Sequence, residues 1–306
     1  MTTTLPAASF FKRVLDQRPF PLYGQWELTC RCNLHCVMCY TDPFNTPEKI
    51  RQELSTTEIL RILNEMADEG CLKLILTGGE PLLRHDFFDI YEAAHRRGLL
   101  LTLFTNGTLL TEHVADHLAQ FLPERVEISL HGMSPSVFER VSDKKGSLEP
   151  CLRAILFLID RKIPVTLKST AMTLNEEEVL AVKKWANDLS AEGHDVRFRL
   201  SEEMRPRLDG REDVFRFALS PERLQNMESQ DLELAAAKKR EAESLDAFAC
   251  PSGLHSFHID AYGQLQLCSG NRRAGYDLRK GSFREGFYKA IPTFPCRFKI
   301  ATASET

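Results

Sequence analysis

At 306 residues, with 43% apolar and 27% charged residues, the chain has material for one large domain, or one large and one small, and is not a disordered chain. A formal net charge of −4 offers nucleic acid no general attraction, so no nucleic-acid partner is expected. No apolar run reaches the ~18 residues of a membrane span, and Met1–Arg13 lacks a secretory signal, so a cytoplasmic protein without a membrane partner is expected.

From residue 25 onward, apolar or alternating runs take turns with helix-period segments. Gln25–Cys30 reads as a strand. Thr56–Glu69 reads as a helix, with Ser55 or Thr56 as N-cap and Gly70 behind it. Leu72–Thr77 is a strand ending in Gly78-Gly79, and Phe87–Arg97 a helix closed by Gly98. Leu99–Thr105 is a strand, Glu112–Phe121 a helix, and Arg125–Leu130 a strand running into His131-Gly132. Leu152–Arg161, Val165–Thr170, Glu176–Leu189 and Val196–Leu200 continue as helix, strand, helix and strand. Six βα units with short connections imply parallel strands and right-handed crossovers. Six fall short of the eight that close a TIM barrel, so the fold class expected is α/β, a partial (β/α)6 TIM-like barrel.

The pattern changes after Leu200. Arg205-Pro206-Arg207-Leu208-Asp209-Gly210 reads as a loop at the barrel mouth, and Pro221–Asp246 as a charged helix with Ser220 as cap. Contact of Arg205 and Arg207 with an acidic or peptide substrate is one expectation for that loop, a solvated linker the other. His258–Leu267 alternates around a Tyr262-Gly263 turn and reads as a β-hairpin. The expected organisation is a lead-in over 1–24, the barrel over 25–200, a charged linker and helix over 201–246, and a small C-terminal β-hairpin/helix module over 247–306.

Nine cysteines, an odd number without a signal peptide, speak against a disulfide scaffold and for a metal site. Cys32, Cys36 and Cys39 stand as C-x3-C-x2-C just after the first strand. Three thiolates on one tight loop suit three corners of a 4Fe–4S cube with the fourth iron free. A closed zinc site needs a fourth donor, which His35 or Cys30 offers, and spacing alone leaves that alternative open.

This spacing, with Met38 before the last cysteine and Tyr40 after it, at the end of the first strand of a βα barrel, resembles the radical S-adenosylmethionine (SAM) superfamily. The resemblance implies that Cys32, Cys36 and Cys39 carry a cluster whose open iron binds SAM. Cleavage of SAM then yields a 5′-deoxyadenosyl radical that abstracts a substrate hydrogen atom, with electrons from a flavodoxin- or ferredoxin-type donor. Met38 and Tyr40 fall on the cofactor side. Gly78-Gly79-Glu80 looks like that family's GGE motif at the SAM amino group; glycines allow close backbone approach and a carboxylate suits an ammonium ion. Ser129, Asn106 and His131 end later strands and resemble positions lining the SAM ribose and the substrate. Lys168 and Ser169, with Arg197 or Arg199, are candidates for the SAM carboxylate; a one-residue register slip would exchange their faces. The agreement runs through residues 25–200 in order and spacing, which favours the cluster over zinc.

Cys250, Gly263, Cys268 and Cys296 resemble the auxiliary-cluster module called SPASM, or its shorter version, twitch. The C-x2-C-x5-C-x3-C run of a full SPASM module is lacking, so one auxiliary 4Fe–4S cluster on Cys250, Cys268 and Cys296 is expected. Its fourth iron is either open to substrate or bound by a residue such as His255 or His258. Cys30, Cys71 and Cys151 read as buried small hydrophobes, with service as a hydrogen-atom donor the alternative for each.

Barrel and tail together resemble maturases of ribosomally made peptides, which introduce cross-links, thioethers, epimerised centres and related changes. A precursor peptide is the partner this implies. Only about two dozen residues precede the first strand, fewer than a leader-binding winged helix needs, so a separate leader-binding protein or the barrel itself is expected to take the leader. Sulfatase-maturase-like or small-molecule chemistry is the enzymatic alternative. A non-catalytic zinc- or cluster-binding interaction protein is the alternative of another class.

Overall fold

The computed structural model describes residues 19–41, 45–231, 233–236 and 252–296. Six parallel strands form the barrel: β1 Tyr23–Thr29, β2 Lys73–Gly78, β3 Leu100–Thr105, β4 Arg125–Ser129, β5 Val165–Thr170 and β6 Val196–Ser201. Period-2 alternation sorts their side chains. Trp26, Leu28, Leu74, Leu76, Leu101, Leu103, Val126, Ile128, Val165 and Leu167 are all buried against the outer helices. The intervening positions, among them Glu27, Phe104, Glu127, Lys168 and Arg199, line the inside.

The helices outside are α1 Pro47–Gln52, α2 Thr56–Asp68, α3 Phe87–Arg96, α4 Glu112–Gln120, α5 Pro135–Ser142, α6 Leu148–Asp160 and α7 Val179–Ala191. Helix α6 buries Leu148, Cys151, Ala154, Ile155, Leu158 and Ile159, and each full-sized apolar side chain so placed contributes about 1.5–3 kcal/mol. Ser55 is the cap of α2, closing a capping box with Glu58, which decides between Ser55 and Thr56. Helices α1 and α5 were not expected from periodicity, yet both carry an N-cap followed by proline, Thr46-Pro47 and Ser134-Pro135.

The hairpin joins the barrel sheet. β7 Ser256–Ile259 pairs parallel with β1, and β8 Gln264–Gln266 and β9 Tyr276–Asp277 follow antiparallel, giving the order β6-β5-β4-β3-β2-β1-β7-β8-β9. Gly24 is required at that junction, because a Cβ there would lie 2.3 Å from the Phe257 ring. The Asp260–Gly263 turn is closed by Asp260 Oδ1, which accepts from the amides of Tyr262 and Gln264, with Gly263 at φ +86°. Helix α8 is Pro221–Ser229, and the remainder of the expected Pro221–Asp246 helix lies largely outside the described residues. No helix among the described residues is long and apolar enough to cross a membrane.

Candidate active site at the first cysteine loop

The end of β1 is bolted in place before the cysteines begin. Glu53 Oε1 accepts from the Thr29 hydroxyl at 2.6 Å and the Cys30 amide at 2.9 Å, and its other oxygen pairs with Arg31 at 3.2 Å. Buried Arg84 donates to the Leu28 and Leu54 carbonyls and holds Asp86 bidentately. The end of β2 runs alongside, with the Gly79 amide on the Thr29 carbonyl and the Glu80 amide on the Arg31 carbonyl. A Cβ at Gly78 would stand 2.2 Å from the Thr29 oxygen, and one at Gly79 2.1 Å from the Arg31 oxygen. The Gly-Gly pair is therefore required by the backbone before any ligand is considered.

Asn45 clamps Cys32, accepting from its amide at 3.1 Å and donating to its carbonyl at 3.0 Å. Asn106 Nδ2 lies 3.7 Å from Cys32 Sγ and donates to Asn33 Oδ1 at 2.9 Å, placing Asn106 beside the first cysteine. The His35 and Val37 amides donate to the Ser142 and Val141 carbonyls, and Cys39 Sγ stands 2.9 Å from Thr41 Oγ1. Arg207 closes the far side, donating to the Cys39 carbonyl at 2.9 Å and the Val37 carbonyl at 3.3 Å while Asp213 holds its guanidinium. Cys39 lies close enough to Cys32 and Cys36 to oppose their ionisation. Burial, with the charges of Glu80 and Cys39, pushes Cys32 up to about 11, and burial with Cys39 and Cys32 pushes Cys36 well above the usual thiol range. Thiolates so gathered need a positive centre, and an iron–sulfur cluster fits that demand. Among the described residues no three His, Cys, Asp or Glu side chains converge as a single ion requires; a cube takes each thiolate on a different iron.

Glu80 is fully buried and accepts from the Thr105 hydroxyl, the Asn106 amide at 2.8 Å and the Leu82 amide at 3.1 Å. Burial outweighs these donors and raises its carboxyl to about 7. It ties β2 to β3. Met38 is half-buried on the loop. The Tyr40 hydroxyl donates to Glu27 Oε1 at 3.1 Å. Ser129 is paired in register with Lys168, and Lys168 with Arg199, so the three share the inner face. Lys168 Nζ lies 3.1 Å from Glu127 and 3.7 Å from the Phe104 ring centre. Ser169 faces the opposite way, its buried hydroxyl donating to the Leu130 carbonyl. Arg197 is 68% exposed and pairs with Asp195, away from the strand's C-terminal end. His131 Nδ1 accepts from the Thr170 amide at 3.2 Å, and burial, with nearby Lys168, lowers the imidazole to about 4.

The 205–210 loop engages both of its arginines within the protein. Arg207 is spent on the cysteine loop, and Arg205 pairs with Glu203 and donates to Ser269 Oγ at 3.2 Å, beside Cys268. Glu27 was also missed. Arg272 grips it bidentately, donates to the Ser269 carbonyl and lies over the Tyr40 ring. Burial alone would raise Glu27, but the hydrogen bonds from Arg272, with His258 nearby, overcome it and hold the carboxyl well below its ordinary value. The available signal was a lone carboxylate in the otherwise apolar Trp26-Glu27-Leu28 run. In the second cysteine group, the Asn271 amide donates to the Cys268 carbonyl, and the Asn271 side chain to the Pro295 carbonyl, tying Cys268 to the Cys296 segment. Cys250 lies outside the described residues. Cys30, Cys71 and Cys151 are buried, and burial pushes each thiol up to about 12.

A partial α/β barrel that presents three mutually crowded thiols on the loop after its first strand defines a class of enzymes built around an open cluster. Residues 26–186 match the Radical SAM superfamily, and the chain belongs to it. It is 34% identical over 173 residues to the AdoMet-dependent heme synthase of Methanosarcina barkeri, covering 56% of this chain and 49% of that one. It is 33% identical over 179 residues to the PqqA peptide cyclase of Rhizobium meliloti, covering 58% and 47%. The chain spans about half the length of the curated relatives it matches. Streptococcus suis SuiB has the same fold, with a TM-score of 0.69 at 13% identity over 91% of this chain and 68% of that one. So does anSMEcpe with bound AdoMet, with a TM-score of 0.65 at 16% identity over 88% and 80%. The chain is an enzyme, so the non-catalytic alternative falls, and superfamily membership implies a 4Fe–4S cluster and SAM.

Proposed function

We propose that the enzyme modifies a ribosomally made peptide, its barrel over 25–200 joined by a charged linker over 201–246 to a twitch-like module over 247–306 that holds one auxiliary 4Fe–4S cluster. The observation that carries this reading is the continuous sheet from β6 to β9, which builds the Cys268 hairpin onto the barrel beside β1, in a chain similar to PqqA peptide cyclases.

Cys32, Cys36 and Cys39 hold the first cluster, and Cys250, Cys268 and Cys296 the second. When bound, the first cluster and SAM supply one-electron cleavage of the cofactor and the hydrogen-atom abstraction that follows. Gly78 and Gly79 open the backbone at the end of β2, where no side chain fits. Glu80 braces that edge through Thr105 and Asn106. Met38, Tyr40 and Ser129 line the cofactor side, with Lys168 and Arg199 presenting positive charge from the inner face toward the SAM carboxylate. Neutral His131 and Asn106 border the substrate. A precursor peptide and a flavodoxin- or ferredoxin-type donor are the partners this reading calls for, with the leader taken by a separate protein or by the barrel itself.

A small-molecule substrate is the second reading, favoured by identities of 34% to the heme synthase and 35% to a GTP 3′,8-cyclase of Erythrobacter litoralis. The test is anaerobic turnover with SAM and dithionite on a short peptide encoded beside the gene, or on GTP or a metalloporphyrin. A mass change in the peptide with matching 5′-deoxyadenosine supports the proposal. An unaltered peptide alongside turnover of GTP or porphyrin sinks it.

A further inference from the structure

The side chains beside Cys32 close into a hydrogen-bonded ring. The Thr108 amide, which can only donate, lies 2.9 Å from Asn106 Oδ1, and the Thr108 hydroxyl reaches the same oxygen at 2.6 Å. That fixes the way the Asn106 amide points: its oxygen faces Thr108 and its nitrogen faces the cysteine loop. Asn33 closes the ring, its Nδ2 donating to Thr108 Oγ1 at 2.8 Å and its Oδ1 accepting from Asn106 Nδ2 at 2.9 Å. One hydrogen of Asn106 Nδ2 is thereby spent on Asn33. The other is left for Cys32 Sγ, to which Nδ2 donates at 3.7 Å. The backbone is held as well, with the Asn106 amide on Glu80 at 2.8 Å and the Asn33 carbonyl accepting from Lys144 Nζ at 3.0 Å. Only 9% of Asn106 is exposed, and a hydrogen bond so enclosed is electrostatically stronger than in water.

A cysteine sulfur bound to iron carries part of a cluster's negative charge, and that charge grows by one when the cluster is reduced. A hydrogen bond to the sulfur therefore favours the reduced state and raises the potential. We propose that Asn106, aimed by Asn33 and Thr108, sets how readily the first cluster is reduced, through its N–H···S hydrogen bond to Cys32. The electron comes from a flavodoxin- or ferredoxin-type donor, or from dithionite in vitro. That donor is oxidised by one electron, the cluster is reduced by one, and no bond forms or breaks. With its oxygen and both hydrogens committed, the Asn106 side chain borders the substrate without a free donor. The inference rests on the reading that Cys32, Cys36 and Cys39 hold the cluster.

The test uses the full chain, reconstituted anaerobically without SAM and poised at fixed potentials with dithionite and mediators. The first cluster's EPR signal is taken as the one that Cys32→Ala removes. Asn106→Leu keeps the shape of the side chain and loses the N–H. The expected result is unchanged iron content and a midpoint lower by about 59 mV, equivalent to about tenfold less reduced cluster at a fixed potential for one electron. Thr108→Val, which loosens the aim of the amide, shifts the midpoint the same way by less. An unchanged midpoint in Asn106→Leu at full iron content overturns the proposal and spares the cluster. Should Asn106→Leu fail to fold or to take up iron, Thr108→Val decides: a lower midpoint supports the proposal and an unchanged one overturns it. Survival of every EPR signal in Cys32→Ala removes the cluster from this loop, and the proposal falls with that reading.

Discussion

The two cysteine regions are built differently. The first loop is finished by the protein: Glu53, Arg84, Asn45, Asn106, Val141, Ser142 and Arg207 reach it from six other segments and tie down its backbone at the ends of β1 and β2. The second region holds most of the unpartnered buried polar atoms among the described residues. A preorganised loop holds its shape before the cofactor arrives; a region with open hydrogen-bonding capacity is completed by what binds there. One region is a mould, the other half of a joint. What joins them is Glu27, between Tyr40 of the first loop and Arg272 of the second region.

The comparison can be broken most decisively at the ligands. Cys32→Ala should reduce SAM cleavage to background, whereas Cys268→Ala should leave cleavage and stop product formation; 5′-deoxyadenosine and product measured in parallel decide this. Loss of cleavage in both would mean that the regions are not separable. Arg272→Met attacks the joint, leaving buried Glu27 without its guanidinium at a cost of about 3–5 kcal/mol. A lower denaturation midpoint for the whole chain is the expected result, and a change below ~1 kcal/mol would show that His258 and Tyr40 suffice.

Arg207→Ala tests the mould. Stripping the donors from the Val37 and Cys39 carbonyls should cost about 1–3 kcal/mol and lower first-cluster iron while second-cluster iron stays constant. Reduced substrate affinity at unchanged iron content would restore the loop to a substrate role.

The smallest expected effect is a pH dependence at His131. Its imidazole is lowered from 6.5 to about 4 by burial, so the unfolded chain binds the proton first as pH falls. The stability from burying it neutral is complete above pH 6.5 and is lost progressively toward pH 4. Urea midpoints should decline across that window, less steeply in His131→Gln, and parallel slopes would remove the assignment.

Much of the barrel was legible because its signals are local. The Val165–Thr170 strand and the first turn of the helix at Thr56 match expectation to the residue, since alternation, caps and glycine stops act within a few positions. The cysteine spacing was legible for the same reason. The sheet junction was not: nothing near Ser256–Ile259 says that it pairs parallel with Tyr23–Thr29. The choice between Lys168 and Ser169 also waited for the fold, because register sets which face each residue takes.

Local chemistry in the sequence therefore determined the βα succession, the thiol loop and the glycines at the end of β2. Tertiary structure alone decided that Arg207 serves the cysteine loop 168 residues away, that Glu27 meets Arg272 across 245 residues, and that His258 lies buried beside that pair. The reason is physical: caps and periodicity are short-range and written in neighbouring residues, whereas a buried charge finds its partner only where the chain has folded back to supply one.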